Sequence, residues 1–319
     1  MLVENKVIDY IYFSEIRSAS TTNNPFLSKP IQHPLNSIDL LERFGANLGG
    51  NPPLSDVIHF LKLNDRNSSA SDKLPIILDL TSCVLDAPVH PRKLITVARN
   101  YKEHLEESGI TNIGSVPSAS IKATSTLVGP YHDIVRPQVE TQLDYETELA
   151  VVIGKQCKNV PQENAYDVIA GYTVLSDIIA RRVLKIERDA GNQFLGKMFD
   201  TFGPMGPCIV SKDEIKDPMN LRITTTVNGE VRQDSNTQQM IWSIPMLIAY
   251  FSQTTLEPGD IISTGTPAGV AAGRRPDQPS WFLEPGDIIE SEVEGVGKLR
   301  NRVVQDANRS DSWNWIIKN

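Results

Sequence analysis

The segment LDYETELAVVIG, residues 143–154, limits what this chain can fold into, because it joins an acidic stripe to an apolar strand. From Leu149 onward the residues are apolar and largely β-branched, as in a buried strand. Asp144, Glu146 and Glu148 precede them at alternate positions, so a strand would direct all three carboxylates to one face. Carboxylates this close repel one another, and burying them without a counter-charge is costly. The fold must either expose this face on an edge strand or supply positive charge to it.

A divalent cation is a counter-charge that fits this pattern. Mg²⁺, Mn²⁺ and Ca²⁺ prefer carboxylate oxygens, and Glu146 and Glu148 would offer two of them from one strand face. Asp177 is the predicted third ligand, because it stands where the predicted strand AGYTVLS ends, just before a helical stretch. The alternative of a solvent-exposed edge strand without a metal stays open on the pattern alone.

The N-terminal part of the chain differs from the rest. Residues 1–90 contain polar, turn-rich segments between two stretches with helical spacing of apolar residues, SIDLLERFGANL and LSDVIHFLKL. A strand pattern, LPIILDLT, follows them. We therefore predict a small N-terminal α/β module.

Strand patterns dominate residues 91–307, and the predicted helices are few, at 101–109, around 179–190 and at 240–253. The Asn-Gly pair in VNGEV predicts a hairpin, and the phrases LEPGDIIST and LEPGDIIES each predict a structural turn that leads into a strand. Many short strands with few helices predict a β-rich α+β catalytic domain, followed by a short tail at 308–319.

Bulk properties exclude several classes of partner. The formal net charge is −8 without a basic patch, which argues against a nucleic-acid partner. Three cysteines without CxxC spacing predict neither a disulfide framework nor a zinc site. The start of the chain lacks the pattern of a signal peptide, and no apolar run approaches the roughly 18 residues of a membrane span. We expect a soluble cytoplasmic protein that contacts no membrane.

Three further features carry chemistry. His104 and Glu107 lie three residues apart in a helical stretch, where a carboxylate can orient a histidine that acts as a general base. A surface ion pair is the alternative for these two residues. Lys197 lies in the Gly-rich turn GKMFDTFGPMGP, where it could stabilise a developing enolate. Thr266, in STGTPAGV after a strand, is suited to contact a substrate carboxylate.

Six segments stand in the order typical of the fumarylacetoacetate hydrolase family, and the chain resembles that family over residues 91 to about 305. The segments are NYKEHLEE, DYETELAVVIG, DIIAR, GKMFDTFGPMGP, VNGEVRQ and TGTPAGV. One such segment is a weak signal, whereas six in order are specific. The resemblance implies the β-rich mixed β-sandwich roll of the family's C-terminal domain, an N-terminal domain that varies between members, and a homodimer.

The resemblance also implies a metal-dependent enzyme for 1,3-dicarbonyl acids, with roles carried over residue by residue. Three positions match the ligands of Mg²⁺ or Mn²⁺, for which Ca²⁺ can substitute in a crystal: Glu146, Glu148 and Asp177. Three match catalytic residues: His104, Glu107 and Lys197. Three match substrate-binding residues: Arg181, Thr266 and Lys122. Asp144 has no ligand counterpart in the family, so we predict a structural role for it.

The implied reaction is hydrolysis of a C–C bond in an acylpyruvate-like 2,4-dioxo acid, with water activated by His104 and Glu107. The same site is also compatible with an oxaloacetate-like 2-oxo acid decarboxylase, a maleylpyruvate-type isomerase, or a non-catalytic protein that binds 2-oxo acids. Two departures from the family pattern bear on the substrate. Arg182 replaces an acid and predicts a more anionic substrate, and Leu184 replaces a polar glutamine and predicts an apolar sub-site.

Overall fold

Short strands form most of the secondary structure in this computed structural model, which describes residues 84–275, 277 and 280–307 and three short strands nearer the N-terminus. The chain divides into two units, Met1–Val84 and Leu85–Asn319. The boundaries of the module 1–90, the domain 91–307 and the tail 308–319 stay predictions.

The described part of the first unit is a small antiparallel sheet with the strand order β1-β2-β3. Its strands are β1 (Leu2–Val3), β2 (Lys6–Ile8) and β3 (Ile77–Asp79). The third strand lies within the predicted strand LPIILDLT. The two predicted helices SIDLLERFGANL and LSDVIHFLKL and the tail 308–319 lie outside the described residues.

The described strands of the second unit form a seven-stranded sheet, a five-stranded sheet and a two-stranded ladder. In chain order they are β4 (Leu94–Ala98), β5 (Ser118–Lys122), β6 (Leu127–Val128), β7 (Ile134–Arg136), β8 (Leu143–Asp144), β9 (Thr147–Ile153), β10 (Ile169–Ser176), β11 (Ile179–Ala180), β12 (Gly203–Ser211), β13 (Arg222–Val227), β14 (Glu230–Asn236), β15 (Ile261–Ser263), β16 (Ile288–Val293) and β17 (Gly297–Gln305).

The two larger sheets pack against each other and enclose the core. The orders are β5-β4-β15-β9-β10-β12-β6 and β14-β13-β16-β17-β7, and β8 pairs with β11. Parallel pairs (β15 with β4, β12 with β6, β17 with β7) occur beside antiparallel ones, so both sheets are mixed. Strands β9, β10 and β12 contact β13, β16 and β17 across the core. This arrangement confirms the predicted β-rich α+β sandwich roll.

Strand β9 is a central strand and not an edge strand. It lies between β15 and β10, and all seven of its residues are buried. Its apolar run enters a cluster that combines both sheets with one helix: Leu149, Val151, Ile153, Tyr172, Ile223, Leu247, Val293 and Leu299. The solvent-exposed alternative for this part of the acidic stripe is therefore wrong, and the negative charge beside β9 needs internal compensation.

Three α-helices occur in the described part of the second unit: α1 (Lys102–Glu107), α2 (Arg181–Asp189) and α3 (Ile244–Phe251). They confirm the three helical predictions with shorter bounds. The hydroxyl of Ser243 caps the N-terminus of α3. The residues before it cannot join the helix, because the N–H groups of Ile241 and Trp242 donate to the backbone and side-chain oxygens of Asn100, both at 2.7 Å.

The local turn predictions hold as well. Strands β13 and β14 form a hairpin whose turn residues Asn228 and Gly229 both have positive φ, as a type I′ turn requires. In each Pro-Gly-Asp phrase the aspartate carboxylate, that of Asp260 or Asp287, accepts the N–H of the glutamate three residues earlier, at 2.9 and 2.8 Å. These phrases are structural turns. Within the described residues, no helix has both the length and the apolar character needed to cross a membrane.

Candidate metal centre and active site

Three buried carboxylates meet where β9 begins and β10 ends. Ligand oxygens of Glu146, Glu148 and Asp177 all lie within 4.8 Å of one another. The antiparallel register explains this, because Leu175 pairs with Glu148 and Ser176 pairs with Thr147. The N–H of Asp177 then donates to the backbone oxygen of Glu146 at 2.8 Å. The three predicted ligands therefore form one cluster, which we call the triad.

Cations surround the triad and compensate part of its charge. Lys122 Nζ lies 2.8 Å from Asp177 Oδ1, and Lys197 Nζ lies 2.5 Å from Asp177 Oδ2. Lys197 also lies 3.5 Å from Glu146 Oε2, and Arg181 Nη2 lies 2.7 Å from Glu146 Oε1. Lys122 is fully buried and also donates to two backbone oxygens, so its ammonium is bound entirely within the protein. A substrate contact by Lys122 stays a prediction, whereas this geometry favours orientation of Asp177.

The triad carboxylates have opposite pKa shifts. Burial acts to raise the pKa of Asp177, but Lys122 and Lys197 outweigh it and lower the pKa to about 2. The pKa of Glu148 is held well above its usual range, first by burial and then by the charges of Asp177 and Glu146. Burial acts to lower the pKa of Lys197, but Asp177 and Glu146 raise it. Without a further cation, the surroundings do not compensate a negative charge on Glu148.

Asp144 lies outside the triad although it belongs to the same acidic stripe. It is on β8, which pairs with β11, and it is fully buried. Arg181 bridges the stripe, with Nε 2.8 Å from Asp144 Oδ2 and Nη2 on Glu146. Backbone N–H groups of Ala271 and Ala272 donate to the two Asp144 oxygens at 2.7 and 3.0 Å. This position agrees with the structural role predicted for Asp144.

The triad fits a hard divalent cation. Its donor set is all oxygen, as Mg²⁺, Mn²⁺ and Ca²⁺ prefer. Oxygens that share a Ca²⁺ ion lie at most about 5 Å apart, and those that share Mg²⁺ about 4 Å, so the triad, with oxygens within 4.8 Å of one another, has the spread of the larger ion and would contract slightly around Mg²⁺. The raised pKa of Glu148 also shows that the triad accommodates more positive charge than its lysines supply. The residues present therefore fit such an ion.

The predicted dyad is formed on α1. His104 Nδ1 lies 2.7 Å from Glu107 Oε1, and the two side chains are only 14% and 19% exposed. Glu107 Oε2 accepts the N–H of Gly269 at 2.9 Å. Gly269 has φ +100°, and a Cβ there would lie 2.1 Å from the backbone oxygen of Arg232, so only glycine fits this contact. The dyad is therefore anchored to the body of the protein rather than being a free surface pair.

One segment after β15, residues 264–273, joins the triad to the dyad, and we call it the strap. The N–H of Gly265 donates to Glu148 Oε2 at 3.1 Å, and the hydroxyl of Thr266 donates to the backbone oxygen of Thr147 at 3.0 Å. Farther along the strap, the N–H of Gly269 donates to Glu107, and the N–H of Ala271 donates to Asp144. Triad and dyad therefore belong to a single site.

Gln233 supports the strap, and the sequence analysis gave it no role. It is 1% exposed and lies near the end of the VNGEVRQ segment. Its Nε2 donates to Thr266 Oγ1 and to the backbone oxygen of Pro267, both at 2.9 Å, while its Oε1 accepts the N–H of Thr147 at 3.2 Å. The one feature of the sequence that could have indicated a role for Gln233 was its place within the family segment VNGEVRQ.

Of the two departures from the family pattern, the structure bears on Leu184, while the more anionic substrate expected from Arg182 stays a prediction. The guanidinium of Arg182 donates to the backbone oxygen of Val139 and forms no ion pair within the described part of the chain. Leu184 is 1% exposed, and a Cβ on Gly196 would lie 2.7 Å from its Cβ. Leu184 therefore fills its space and opens no apolar sub-site.

Several known proteins are similar to this chain. The family model "Fumarylacetoacetate (FAA) hydrolase C-terminal" matches residues 93–304. The human protein named "Oxaloacetate tautomerase FAHD2B, mitochondrial" is 44% identical over 220 residues, which are 68% of this chain and 68% of that protein.

Solved structures with the same fold are also found. The 5-carboxymethyl-2-hydroxymuconate delta-isomerase from Mycobacterium smegmatis has a TM-score of 0.62 and 36% identity, over 73% of this chain and 86% of that chain. The maleylpyruvate hydrolase from Sphingobium sp. SYK-6, in complex with manganese (II) ion and pyruvate, has a TM-score of 0.69 and 30% identity, over 96% of this chain and 95% of that chain. This chain therefore belongs to the fumarylacetoacetate hydrolase family.

Proposed function

We propose that the protein is a metal-dependent enzyme that enolises a 2-oxo acid, and that tautomerisation of an oxaloacetate-like acid is its reaction. The observation that carries this proposal is the strap, which links a buried carboxylate triad to a histidine–carboxylate dyad. The name of the human relative, an oxaloacetate tautomerase, supports the choice of reaction. Hydrolysis, the reaction expected first from the sequence, becomes the second candidate.

The triad would hold Mg²⁺ or Mn²⁺ through Glu146, Glu148 and Asp177. When bound, such an ion polarises a 2-oxo carbonyl as a Lewis acid and makes the adjacent C–H more acidic. The manganese complex of the maleylpyruvate hydrolase supports a divalent ion in this family. Lys122 orients Asp177 for this purpose, since its ammonium takes up one oxygen of that carboxylate.

The proton is moved by the dyad. Glu107 accepts the N–H at Nδ1 of His104, which leaves the lone pair on Nε2 for the substrate. In tautomerisation, Nε2 takes a proton from C3 of the keto form and returns it to the 2-oxo oxygen, so the carbon skeleton stays intact. Lys197 supplies the positive charge beside the developing enolate oxygen. Arg181 and Thr266 would contact the substrate carboxylate.

Hydrolysis of a C–C bond is the second candidate, and the same dyad favours it. Nε2 of His104 can equally take a proton from water, which then adds to the C4 carbonyl of a 2,4-dioxo acid. The C3–C4 bond breaks, a carboxylic acid leaves, and C3 of the pyruvate enolate is protonated. The similarity to a maleylpyruvate hydrolase over 96% of this chain supports this alternative. Decarboxylation of oxaloacetate needs the enolate stabilisation but no attacking water.

One assay with two substrates separates these reactions. Oxaloacetate and acetylpyruvate are each incubated with protein and Mg²⁺ or Mn²⁺, while enol absorbance and products are followed. Tautomerisation speeds the relaxation of oxaloacetate enol without release of pyruvate, whereas hydrolysis yields acetate and pyruvate from acetylpyruvate. Decarboxylation yields pyruvate and CO₂ from oxaloacetate. Turnover of neither substrate by metal-loaded protein would leave only a 2-oxo acid binding protein.

Replacing His104 tests the dyad. His104→Ala should keep metal binding and lose tautomerisation and hydrolysis by at least about 100-fold, the usual scale of general-base catalysis. Full activity in this variant would show that the base lies elsewhere.

The quaternary structure and location stay proposals. We propose a homodimer, as the family resemblance implies, and sedimentation of the purified chain would test it. A cytoplasmic location remains the expectation from the sequence.

A further inference from the structure

Two arginines near the triad stand outside the ion pairs of the described part of the chain. Arg99 and Arg188 form none of the ion pairs found there. The chain as a whole has a net charge of −8, so acidic residues outnumber basic ones, and arginines without an ion-pair partner are unexpected. Both side chains are exposed and hold no ion-pair partner among the described residues, which makes these two arginines candidates for binding an anion.

Arg188 lies on the helix that carries Arg181 into the site. The two residues are seven apart on α2, so they share one face of the helix and are about 10 Å apart along its axis. Arg181 Nη2 is 2.7 Å from Glu146. Arg188 therefore lies on the face of α2 directed to the triad, two turns beyond it.

Arg99 reaches the same region from the other side. It follows β4, which is the parallel neighbour of β15, so its backbone lies beside the start of the strap. A Cβ on Gly265 would be 3.0 Å from Asn100 Cβ, and the N–H of Gly265 binds Glu148. The side-chain amide of Asn100 donates to the backbone oxygens of Thr264 and Trp242, which fixes the bend.

The backbone at Arg99 is strained. Its φ is +58°, in the left-handed region that non-glycine residues rarely adopt. Such strain often occurs at functional sites, where it directs a side chain. Here it holds an exposed arginine at the edge of the site.

The two arginines feel each other's charge. The pKa of Arg188 is lowered by burial first and then by the charges of Arg181 and Arg99, while the Glu146 carboxylate offsets part of this. Its neighbour Glu187 forms no ion pair with it in the described part of the chain, since that carboxylate accepts the N–H groups of Leu195 and Gly196 at 2.6 and 2.9 Å. Helix α2 carries four basic and two acidic residues. The positive region therefore stays open to an incoming anion.

We propose that Arg99 and Arg188 bind the second carboxylate of the substrate, at the end remote from its 2-oxo group. This inference rests on the proposed function, since it assumes that the 2-oxo carboxylate end lies at the triad. The enzyme would then select dicarboxylic 2-oxo acids over monocarboxylic ones of equal length. The more anionic substrate predicted from Arg182 would be recognised by these two residues instead.

The test compares oxaloacetate with 2-oxobutanoate, which carries a methyl group where oxaloacetate carries its second carboxylate. Deuterium exchange at C3 is followed by NMR for both acids. The protein is loaded with Mg²⁺ and contains no Mn²⁺. Arg188→Gln should raise KM for oxaloacetate about 10-fold to 100-fold, the scale of a charge-assisted hydrogen bond, with little change in kcat. Exchange of 2-oxobutanoate should change less than about 3-fold, because it makes no contact there.

Matched variants control the charge change. Arg182→Gln removes the same charge from the same helix and should leave both acids unaffected, while Arg188→Lys should restore part of the affinity for oxaloacetate. Arg99→Asn should act like Arg188→Gln, because asparagine tolerates the positive φ. Equal effects of Arg188→Gln on both acids, or none on oxaloacetate, would overturn the proposal.

A binding measurement separates this proposal from the proposed function. Calorimetric dissociation constants of both acids for the metal-loaded protein require no turnover. If the wild type exchanges neither acid, the proposed function fails. The arginine proposal then stands only if oxaloacetate binds more tightly than 2-oxobutanoate and Arg188→Gln removes that difference, and it falls otherwise.

Discussion

Replacing Asp144 with asparagine separates the structural acid of the stripe from the acids of the triad. Asp144 is fully buried, and its two oxygens accept four hydrogen bonds. Oδ1 accepts the N–H groups of Tyr145 and Ala271 at 2.8 and 2.7 Å. Oδ2 accepts Arg181 Nε at 2.8 Å and the N–H of Ala272 at 3.0 Å. Asparagine keeps the shape of the side chain but places an NH₂ group where one oxygen stood. Each oxygen accepts from two donors, so the two donors at the replaced oxygen would then face a third donor and no acceptor.

The expected loss of stability is large. Breaking a buried ion pair by removing one charge costs about 3–5 kcal/mol. A second estimate counts the two buried donors that lose their acceptor, at about 1–3 kcal/mol each, and it gives a similar range for the loss of stability. Since a folded domain is stable by about 5–15 kcal/mol, Asp144→Asn should lower the thermal midpoint of the metal-free protein by about 10 °C.

Glu148→Gln is the matched comparison. Glu148 Oε2 accepts Ser263 Oγ and the N–H of Gly265, and a glutamine oxygen can accept both. Because the pKa of Glu148 is raised by burial and its acidic neighbours, the metal-free protein already favours the uncharged side chain. Glu148→Gln should therefore melt within a few degrees of wild type and bind no metal, while Asp144→Asn should melt early and still bind it. If Asp144→Asn melted like wild type, or lost metal without losing stability, the assignment of Asp144 would be refuted.

Three further variants or conditions test the site. Lys197→Met should bind Mn²⁺ at least as tightly as wild type, because it removes a cation 2.5 Å from Asp177. Its turnover should nevertheless fall by at least about 100-fold. Calorimetry of Mn²⁺ binding and rate measurements together check this. Gly269→Ala should destabilise the fold by several kcal/mol and lower turnover, since its Cβ would lie 2.1 Å from the backbone oxygen of Arg232; an unchanged melting curve would contradict that contact. Metal affinity should rise with pH, because a protonated Glu148 must lose its proton to become a ligand, and calorimetry in two mildly acidic buffers with different ionisation enthalpies should detect proton release on binding. Binding without proton release would exclude Glu148 as the titrating ligand.

The centre of the fold and the triad were predictable because both follow from short-range patterns. The apolar run of β9 marked a buried strand, and the alternation of acids placed Glu146 and Glu148 on one face. Asp177 could be added because it ends the neighbouring strand, and the β9–β10 register brings it opposite Glu146.

Long-range contacts were not predictable from local patterns. Gly269 and Glu107 are 162 residues apart, and no local pattern predicts their hydrogen bond. Asn100 shortened the third predicted helix by binding residues 142 positions later. The surroundings of Arg182 were unpredictable for a similar reason, since adjacent helical residues point in directions that only packing decides. Its side chain contacts Val139, whereas Arg188, seven residues after Arg181, lies on the same face of α2 as Arg181.

The central claim is that a cation held by the triad makes enolisation possible. The most direct test is deuterium exchange at C3 of oxaloacetate, measured while Mn²⁺ is titrated into chelator-treated protein. The account predicts that the exchange rate rises in proportion to bound metal, saturates at one ion per chain, and stays at the uncatalysed rate in Glu148→Gln. Exchange that is equally fast in the metal-free protein, or that survives in Glu148→Gln, would contradict it.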